Sequence, residues 1–432
     1  MVAPLSPGPA PAAHDIELTT DIEWWSRPLS EREAAFAALR AERPIARMAF
    51  PGMPEMGIPA TEYWAVTRHA ELIEASRQPG LFCSGRGTNI ADMPPDFVEF
   101  FGSMIGMDDP RHARLRRIVS RGFTPRKLAS LKADVGGAAA DIVDDIAEQG
   151  ECDFVTEVAA KLPLRVIVDL MGIPRSEERF IFDRTNVILG FTDPEYVAEQ
   201  DDPMAVTMAI LTAGQELADL VTRLAEARET EPADDLITAL AVTEVDGEKL
   251  TSQELASFFI LLVVAGNETT RNAIAHGLAA LTDHPDQHRR WLDDVDGLTP
   301  TAVEEIVRWA SPVMHFRRTV TEDRVRLGDH EFSEGDKVVL WYNSANRDEA
   351  VFDDPYRFDL GRTPNDHVGF GGPGPHFCLG AHLARREIAV MFRELLTRLP
   401  DIHATGDPER LRSNFINGIK HLPVAFSPVA SP

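Results

Sequence analysis

One cysteine stands in a glycine-rich stretch where its sulfur could act as a metal ligand. Cys378 lies in HVGFGGPGPHFCLGAHLARREI, residues 367–388, and a run with helical spacing follows it directly. A thiolate is stabilised by backbone N–H donors and by a helix N-terminus, and both are available here. Glycines at 369, 371, 372, 374 and 380 allow tight turns and close approach of the backbone to a flat ligand. The alternative is a buried structural cysteine beside a flexible loop.

The elements that must position this cysteine are mostly helices. Apolar residues recur at spacings of three and four in PLSEREAAFAALRAE, ADVGGAAADIVDDIAEQ, LTAGQELADLVTRLAEAR and the long segment 250–285. Strand patterns are short and occur near residue 62, at 325–343 and at 418–426. No repeat or linker divides the chain. We therefore expect a mainly α, helix-rich single domain with small peripheral β-sheets over residues 16–432, after a flexible Pro- and Ala-rich tail at 1–15.

Composition and charge exclude several functional classes. The 432 residues are 44% hydrophobic and 26% charged, as in ordinary globular proteins, and the net charge of −26 argues against nucleic-acid binding. The longest apolar run, FFILLVVA at 258–265, is too short to span a bilayer. Three cysteines are too few for a disulfide framework, and the N-terminus lacks the pattern of a secretory signal, so the cytoplasm is the predicted compartment.

The residues around the cysteine resemble the haem-binding loop of the cytochrome P450 family. That resemblance is carried by Phe370, Gly371, Gly374, His376, Cys378 and Gly380. It implies the P450 fold, with haem b as cofactor and the Cys378 thiolate as the proximal iron ligand. The family's commonest form places the Phe seven residues before the Cys, whereas Phe370 stands eight before it and Gly371 takes the usual place. We interpret this as a loop that is one residue longer.

The central helical segment contains AGNETT, residues 265–270, which resembles the family's oxygen-activating turn. The resemblance implies that Ala265 and Gly266 lie over the haem. It also implies that Thr269 hydrogen-bonds O2, the co-substrate, and that Glu268 relays protons. Taken alone, the motif also fits an ordinary helix with a kink at Gly and Thr.

A second set of motifs implies a buried ionic network that supports the cysteine loop. Glu305 and Arg308 in EEIVRWASP share one helix face and could pair. Within the family, an arginine further along the chain completes a Glu-Arg-Arg network. The matching residue here is Arg357, in DPYRFDLGR.

Haem carries two propionates, so its site in an acidic chain needs local cations. The resemblance places His112 and Arg116, four residues apart on one helix face, at the propionates together with Arg317 and His376. Arg318, beside Arg317 in MHFRRT, is expected to face solvent.

The resemblance further implies an apolar substrate pocket and a reductively driven monooxygenase. Within the family, the similarity is to the actinobacterial branch that hydroxylates the terminal methyl of methyl-branched lipids and the side chain of cholestenone. Alternatives are a hydroxylase of a steroid nucleus or of a polyketide or terpenoid metabolite. The predicted pocket residues are Ile90, Met93, Phe97, Phe101, Leu189, Leu262, Val313, Met314, Phe415 and Ile416.

Electrons must come from another protein, because the chain has no flavin domain and too few cysteines for an iron–sulfur cluster. We expect ferredoxin and a ferredoxin reductase as donors to a monomeric enzyme that does not span a membrane. The basic segment Arg111–Lys127 has seven Lys or Arg and no acid. Its Arg114, Arg117 and Arg121 are predicted to face an acidic ferredoxin, although a solvated helix face would look the same.

Two different functional classes remain open from the sequence. A cysteine-dependent hydrolase would pair Cys378 with a base, and His376 is near it in sequence. A helical binding protein without a cofactor would explain the helices but not the glycine-rich loop.

Overall fold

The helices form most of the structure. The computed structural model describes residues 24–52, 58–122, 125–242 and 249–429, without the side chains at 26, 121–134 and 242, so the predicted tail at 1–15 lies outside the described residues. Within these ranges the helices are α1 Leu29–Glu42, α2 His69–Ser76, α3 Pro95–Gly102, α4 Arg111–Gly122, α5 Pro125–Ala147, α6 Lys161–Met171, α7 Glu178–Leu189, α8 Pro203–Thr230, α9 Leu236–Val242, α10 Ser252–Asp283, α11 Pro285–Asp293, α12 Val295–Ala310, α13 Tyr342–Ala345 and α14 Ala381–Arg398.

The strands are short and form small separate sheets. The largest sheet has the order β1-β2-β8-β5-β3 and contains one parallel pair, β2 with β8. The bounds are β1 Ile45–Phe50, β2 Thr61–Val66, β3 Phe82–Cys83, β4 Glu151–Asp153, β5 His315–Val320, β6 Val325–Leu327, β7 His330–Phe332, β8 Lys337–Trp341, β9 His403–Ala404, β10 Glu409–Arg410, β11 Ile419–His421 and β12 Pro423–Ala425. The prediction of a mainly α fold with small sheets is confirmed.

Helix α10 runs through the centre of the helical core. Its first turn carries a capping box, because the Thr251 hydroxyl accepts from Glu254 N and the Glu254 carboxylate accepts from Thr251 N. The helix is buried over most of its length and packs against α6, α8, α12 and α14. A helix that is apolar almost all round at its centre is stable when it lies in the core, and the burial of α10 agrees with that prediction.

Helix α8 is long and apolar enough to cross a membrane by length and composition alone. Of its most apolar stretch, 44% is buried inside the protein, and the helix packs against α7, α9 and α10. A helix that forms part of a protein core passes the same test, so this finding is weak evidence for a membrane segment.

Candidate active site

The cysteine loop packs tightly between α2 and α14. Gly371 has φ +88°, a conformation that favours glycine, and its N–H donates to Val368 O at 2.9 Å. At Gly374 a Cβ would collide with the carbonyl oxygen of Ser76, at the end of α2. The loop ends where Cys378 N donates to Phe370 O at 3.0 Å. The lack of a side chain at Gly374 therefore lets the loop pack against the end of α2.

The Cys378 side chain opens into a cavity of about 260 Å³. Burial raises the pKa of this thiol, while the Gly380 N–H and the charges of Arg116 and Arg385 act to lower it. These three groups act towards the thiolate, the form that binds a metal, but burial outweighs them and the pKa of the thiol stays above its ordinary value.

A face of α10 also lines this cavity. Ala265, Gly266 and Thr269 lie along it, and the Thr269 hydroxyl donates to Ala265 O at 2.7 Å. At Gly266 a Cβ would come within 2.7 Å of Ile167 Cδ1, so a larger residue would push against α6. These three residues are brought to the cavity as the sequence motif indicates.

Glu268 lies outside the cavity lining. Its side chain is 1% exposed and forms an ion pair with Arg271, and Asn272 Nδ2 donates to Glu268 Oε1 at 3.0 Å. Arg271 in turn donates to Asn186 Oδ1 on α7 at 2.9 Å. The acid and the hydroxyl of the motif therefore point into different surroundings, because adjacent residues on a helix are about 100° apart.

Two histidines lie together at one side of the cavity. The rings of His112 and His376 have their centroids 4.4 Å apart, and His376 Nε2 is 3.2 Å from Ser84 Oγ. His112 is buried, and its Nε2 has no hydrogen-bond partner. Because His376 Nε2 is directed at a serine rather than at Cys378, the arrangement gives no support to a Cys–His hydrolase.

The structure corrects the prediction for Arg317. This guanidinium points away from the cavity and forms an ion pair with Asp92 at 2.8 Å. Arg318 lines the cavity instead. Successive strand residues point to opposite faces of a sheet, and β5 places Phe316 and Arg318 on the cavity side.

Arg116 also reaches the cavity, where its Nη2 donates to Phe377 O at 2.7 Å. Elsewhere on α4, Arg114 is half-buried and pairs with Glu254 at 2.8 Å, so its charge is already engaged within the protein, contrary to the prediction that it faces a ferredoxin. Arg117 is exposed, and the side chain of Arg121 lies outside the described residues.

The ionic network beneath the loop has a different third member from the one predicted. Arg308 donates to both oxygens of Glu305, at 2.7 and 2.8 Å, and the two side chains are completely buried. Arg362 Nε lies 3.3 and 3.2 Å from the same oxygens. Arg357 has an exposed side chain and contributes only its carbonyl oxygen, which accepts from Arg362 and Arg308. The third arginine is therefore Arg362, five residues further along DPYRFDLGR.

Of the ten predicted pocket residues, only Leu262 and Val313 line the cavity. The others are held elsewhere by packing that short sequence segments do not reveal. Ile90 and Met93 pack in a cluster with Trp24 and Trp25, and Phe97 and Phe101 pack against Val206 and Ile210 of α8. Met314 lines a separate cleft, and Leu189 is half-buried at the end of α7. Ile416 forms a β-bridge with Val313, and Phe415 contacts the rings of His315 and Phe316.

Several lining residues were missed by the sequence analysis. On α10, Phe258 and Leu261 share a face with Leu262, Ala265 and Thr269, a spacing that helical periodicity could have revealed. From outside α10, the missed lining residues include Ile167, Leu170 and Phe316.

A buried acid in the cavity lining was also missed. Glu387 on α14 is 2% exposed, and burial raises its pKa to about 8, although a hydrogen bond with Thr270 acts to lower it. The signal was an acidic residue between apolar positions on a buried helix face, nine residues after Cys378.

The residues around this cavity fit a haem group. One wall holds the Cys378 thiol beside a backbone N–H donor, the opposite wall holds Ala265 and Gly266 with little side-chain bulk, and the walls between them are mainly apolar. The unpartnered Nε2 of buried His112, together with Arg318, supplies donors suited to a carboxylate.

Comparisons with known proteins agree with this geometry. A cytochrome P450 family model matches residues 195–401. The chain is 50% identical over 425 residues to the methyl-branched lipid omega-hydroxylases of Mycobacterium bovis and Mycobacterium tuberculosis, covering 98% of this chain and 97% of theirs. It is 43% identical to the steroid C26-monooxygenase of Rhodococcus jostii, over 90% of this chain and 81% of that protein.

A solved structure shares the fold closely. A cytochrome P450 from Mycobacterium marinum, in complex with pseudoionone, superposes with a TM-score of 0.89 at 42% identity, covering 98% of this chain and all of the other. The family uses haem-thiolate iron as cofactor and O2 as co-substrate, and the cysteine loop, the α10 turn and the cavity between them are arranged as such an enzyme requires. The chain is a member of the cytochrome P450 family and a monooxygenase.

Proposed function

We propose that this monooxygenase hydroxylates the terminal methyl group of a methyl-branched lipid. The observation that carries the proposal is the 50% identity, over nearly the whole chain, to proteins named for that reaction. The side chain of cholest-4-en-3-one, which also ends in a branched methyl pair, is the second candidate, and 40–43% identity to steroid C26-monooxygenases favours it.

The cavity supports a saturated chain end as the reacting group. Above the cysteine wall the lining is apolar, with Phe258, Leu261, Leu262, Val313 and Ile105 among its members. A methyl terminus has no polar atom to satisfy, so it enters such a lining without loss of hydrogen bonds. Most of the charged and imidazole groups of the lining lie instead at the site assigned to the haem carboxylates.

Haem is held, in this proposal, by Cys378 as iron ligand and by donors around its edge. His112, Arg116, Arg318 and His376 supply those donors, and Ala265 and Gly266 face the opposite side. Phe370, Gly371 and Gly380 surround the ligand in the loop. When bound, this group supplies reductive activation of O2 for insertion of one oxygen atom into a C–H bond.

Thr269 is proposed to hold the oxygen substrate, and Glu268 to relay protons. The Thr269 hydroxyl donates to Ala265 O in the structure, so its oxygen lone pairs can still accept a hydrogen bond. Rotation of the hydroxyl would direct its proton to the oxygen substrate instead. Glu268 reaches the cavity only by leaving Arg271, so its relay requires rotation of a buried ion pair. Breaking a buried ion pair is costly. The relay therefore depends on solvent, or on binding of the redox partner, to compensate the charge of Arg271 when Glu268 leaves it.

Electrons are proposed to come from a ferredoxin and its reductase, with neither flavin nor iron–sulfur cluster on this chain. Arg117 is exposed on α4, whose Arg116 donates to the carbonyl of the residue before Cys378. An acidic partner at this face would lie close to the cysteine loop.

A titration with matched substrates tests the function. The ferric protein is titrated with a methyl-branched fatty acid, its unbranched isomer, cholest-4-en-3-one and a steroid without a side chain. We expect a low-spin to high-spin shift at the lowest concentration with the branched lipid. Turnover with ferredoxin, its reductase and NADPH should give the terminal alcohol, identified by mass spectrometry. Hydroxylation only within a steroid nucleus would contradict the proposal.

A further inference from the structure

A second cleft lies apart from the cysteine cavity, between α1 and the C-terminal end of α12. Its volume is only about 30 Å³, which is room for about two water molecules. Three arginines line it, Arg32, Arg40 and Arg347, and among the described residues Glu33 is the only acid of the lining. In a chain with net charge −26, this local excess of cations requires an explanation.

Two of the three arginines have complete sets of partners. Arg40 forms an ion pair with Glu349 at 2.7 Å and donates to Tyr356 Oη at 2.8 Å. Arg347 pairs with Glu33 at 3.2 Å and also donates to the carbonyls of residues 308 and 309. Glu33, the acid that the described lining contains, is therefore engaged by Arg347.

Arg32 is the exception. Its side chain is 5% exposed, and neither Nε nor Nη2 has a hydrogen-bond partner. Its guanidinium lies 5.8 Å from the Trp25 ring centroid, so the aromatic face covers it without accepting those N–H groups. Beside it stands Arg410, which likewise has an unpartnered buried nitrogen, Nη1.

The charge of Arg32 persists at neutral pH despite this environment. Burial and the repulsion from Arg410 lower the pKa of Arg32 to about 10, with a small opposing effect of Glu33. A buried cation without a bound counter-charge is strongly destabilising. Arg32 also lies in the first turn of α1, where the helix dipole adds further positive potential.

We propose that this cleft binds a small monovalent anion, of the size of chloride or formate, through the Nε and Nη2 groups of Arg32. The two N–H groups form the planar fork that matches such a ligand. The volume excludes phosphorylated metabolites and fatty acids. Bound there, the anion neutralises Arg32 and stabilises the contact of α1 with the end of α12.

Thermal unfolding of the full-length holoenzyme tests the proposal. Sodium chloride, bromide and formate are titrated against sodium gluconate at constant ionic strength, because gluconate is too large for the cleft. We expect the melting temperature to rise with the small anions and to saturate, as binding linkage requires. No rise at constant ionic strength, or a rise that does not saturate, would overturn the proposal.

Two variants and one crystal measurement sharpen the test. Arg32→Met removes the buried charge and should match or exceed the wild type in gluconate, yet gain nothing from chloride, so the wild type should become the more stable protein as chloride is added. Arg27→Met is the matched control, because Arg27 is exposed and 3.9 Å from Glu31, and it should keep the full chloride response. If Arg32→Met fails to fold, a bromide-soaked wild-type crystal still decides. An anomalous peak within hydrogen-bond distance of Arg32 supports the site, and its absence overturns it.

Discussion

The guanidinium of Arg385 lies 4.3 Å from the ring centroid of Phe370, so a fixed cation covers the phenylalanine whose carbonyl accepts the N–H of Cys378. Glu304 holds this guanidinium through two hydrogen bonds, at 2.6 and 2.9 Å, and also lies 2.9 Å from His367 Nε2. Burial alone would raise the pKa of Glu304, but hydrogen bonds from His367 and Arg385 lower it to about 2. The cluster connects α12, α14 and the cysteine loop.

Replacing Arg385 by Met should make the ferric–ferrous reduction potential of the enzyme more negative. The reduced centre carries one more negative charge, and Arg385 is one of the two cations that favour the Cys378 thiolate. Loss of the cation–π contact should also lower the free energy of unfolding by about 1 kcal/mol. Spectroelectrochemistry measures the potential. Arg393→Met, on the same helix but in an exposed pair with Asp296, should leave the potential unchanged. Equal shifts in both variants would contradict the assignment.

Arg362 and Arg357 should differ sharply in their effect on stability. Arg362→Met removes a partner of the wholly buried Glu305 carboxylate, which should cost about 3 kcal/mol of the free energy of unfolding. Arg357→Met removes an exposed side chain that contributes only its backbone to the network, so the change should stay within about 0.5 kcal/mol. Urea unfolding of the two proteins measures the difference. A large loss in Arg357→Met would refute the assignment of the third arginine.

Glu387 should make the enzyme less stable as pH rises. Its pKa is about 8 in the folded protein against 4.5 as the ordinary value, so between these values the folded state binds more protons than the unfolded state. The free energy of unfolding therefore falls from about pH 4.5 to pH 8, by up to about 5 kcal/mol in total, because one pKa unit corresponds to about 1.4 kcal/mol. Glu387→Gln cannot titrate and should exceed the wild type in stability at pH 8, with the difference disappearing near pH 5. Parallel pH profiles of the two proteins would rule out this titration.

Thr269→Val should separate oxygen consumption from product formation. Valine keeps the volume of threonine but removes the hydroxyl that lines the cavity, so oxygen is still reduced while hydroxylation falls by about 100-fold. Thr269→Ser retains the hydroxyl and should retain most of the coupling. Product, hydrogen peroxide and NADPH consumption are measured together. Undiminished coupling in Thr269→Val would exclude the proposed role of this hydroxyl.

The local features of the site could be predicted because each lies within one short segment. The spacing around Cys378 and the turn at 265–270 identify the family, and helical periodicity locates α10. Turn geometry, capping and helix phase depend on residues a few positions apart, so the sequence contains them in full.

The partners of long side chains were decided only by the tertiary structure. Side chains alternate between the two faces of β5, so Arg318 lies at the cavity and Arg317 points towards Asp92. Which face each residue takes depends on the pairing of β5 with β3 and β8. Likewise, Arg362 rather than Arg357 reaches Glu305, more than fifty positions away. The sequence by itself determined the family, the thiolate loop and the central helix. Tertiary packing decided which charges meet, because an arginine pairs with whichever carboxylate the fold brings within reach.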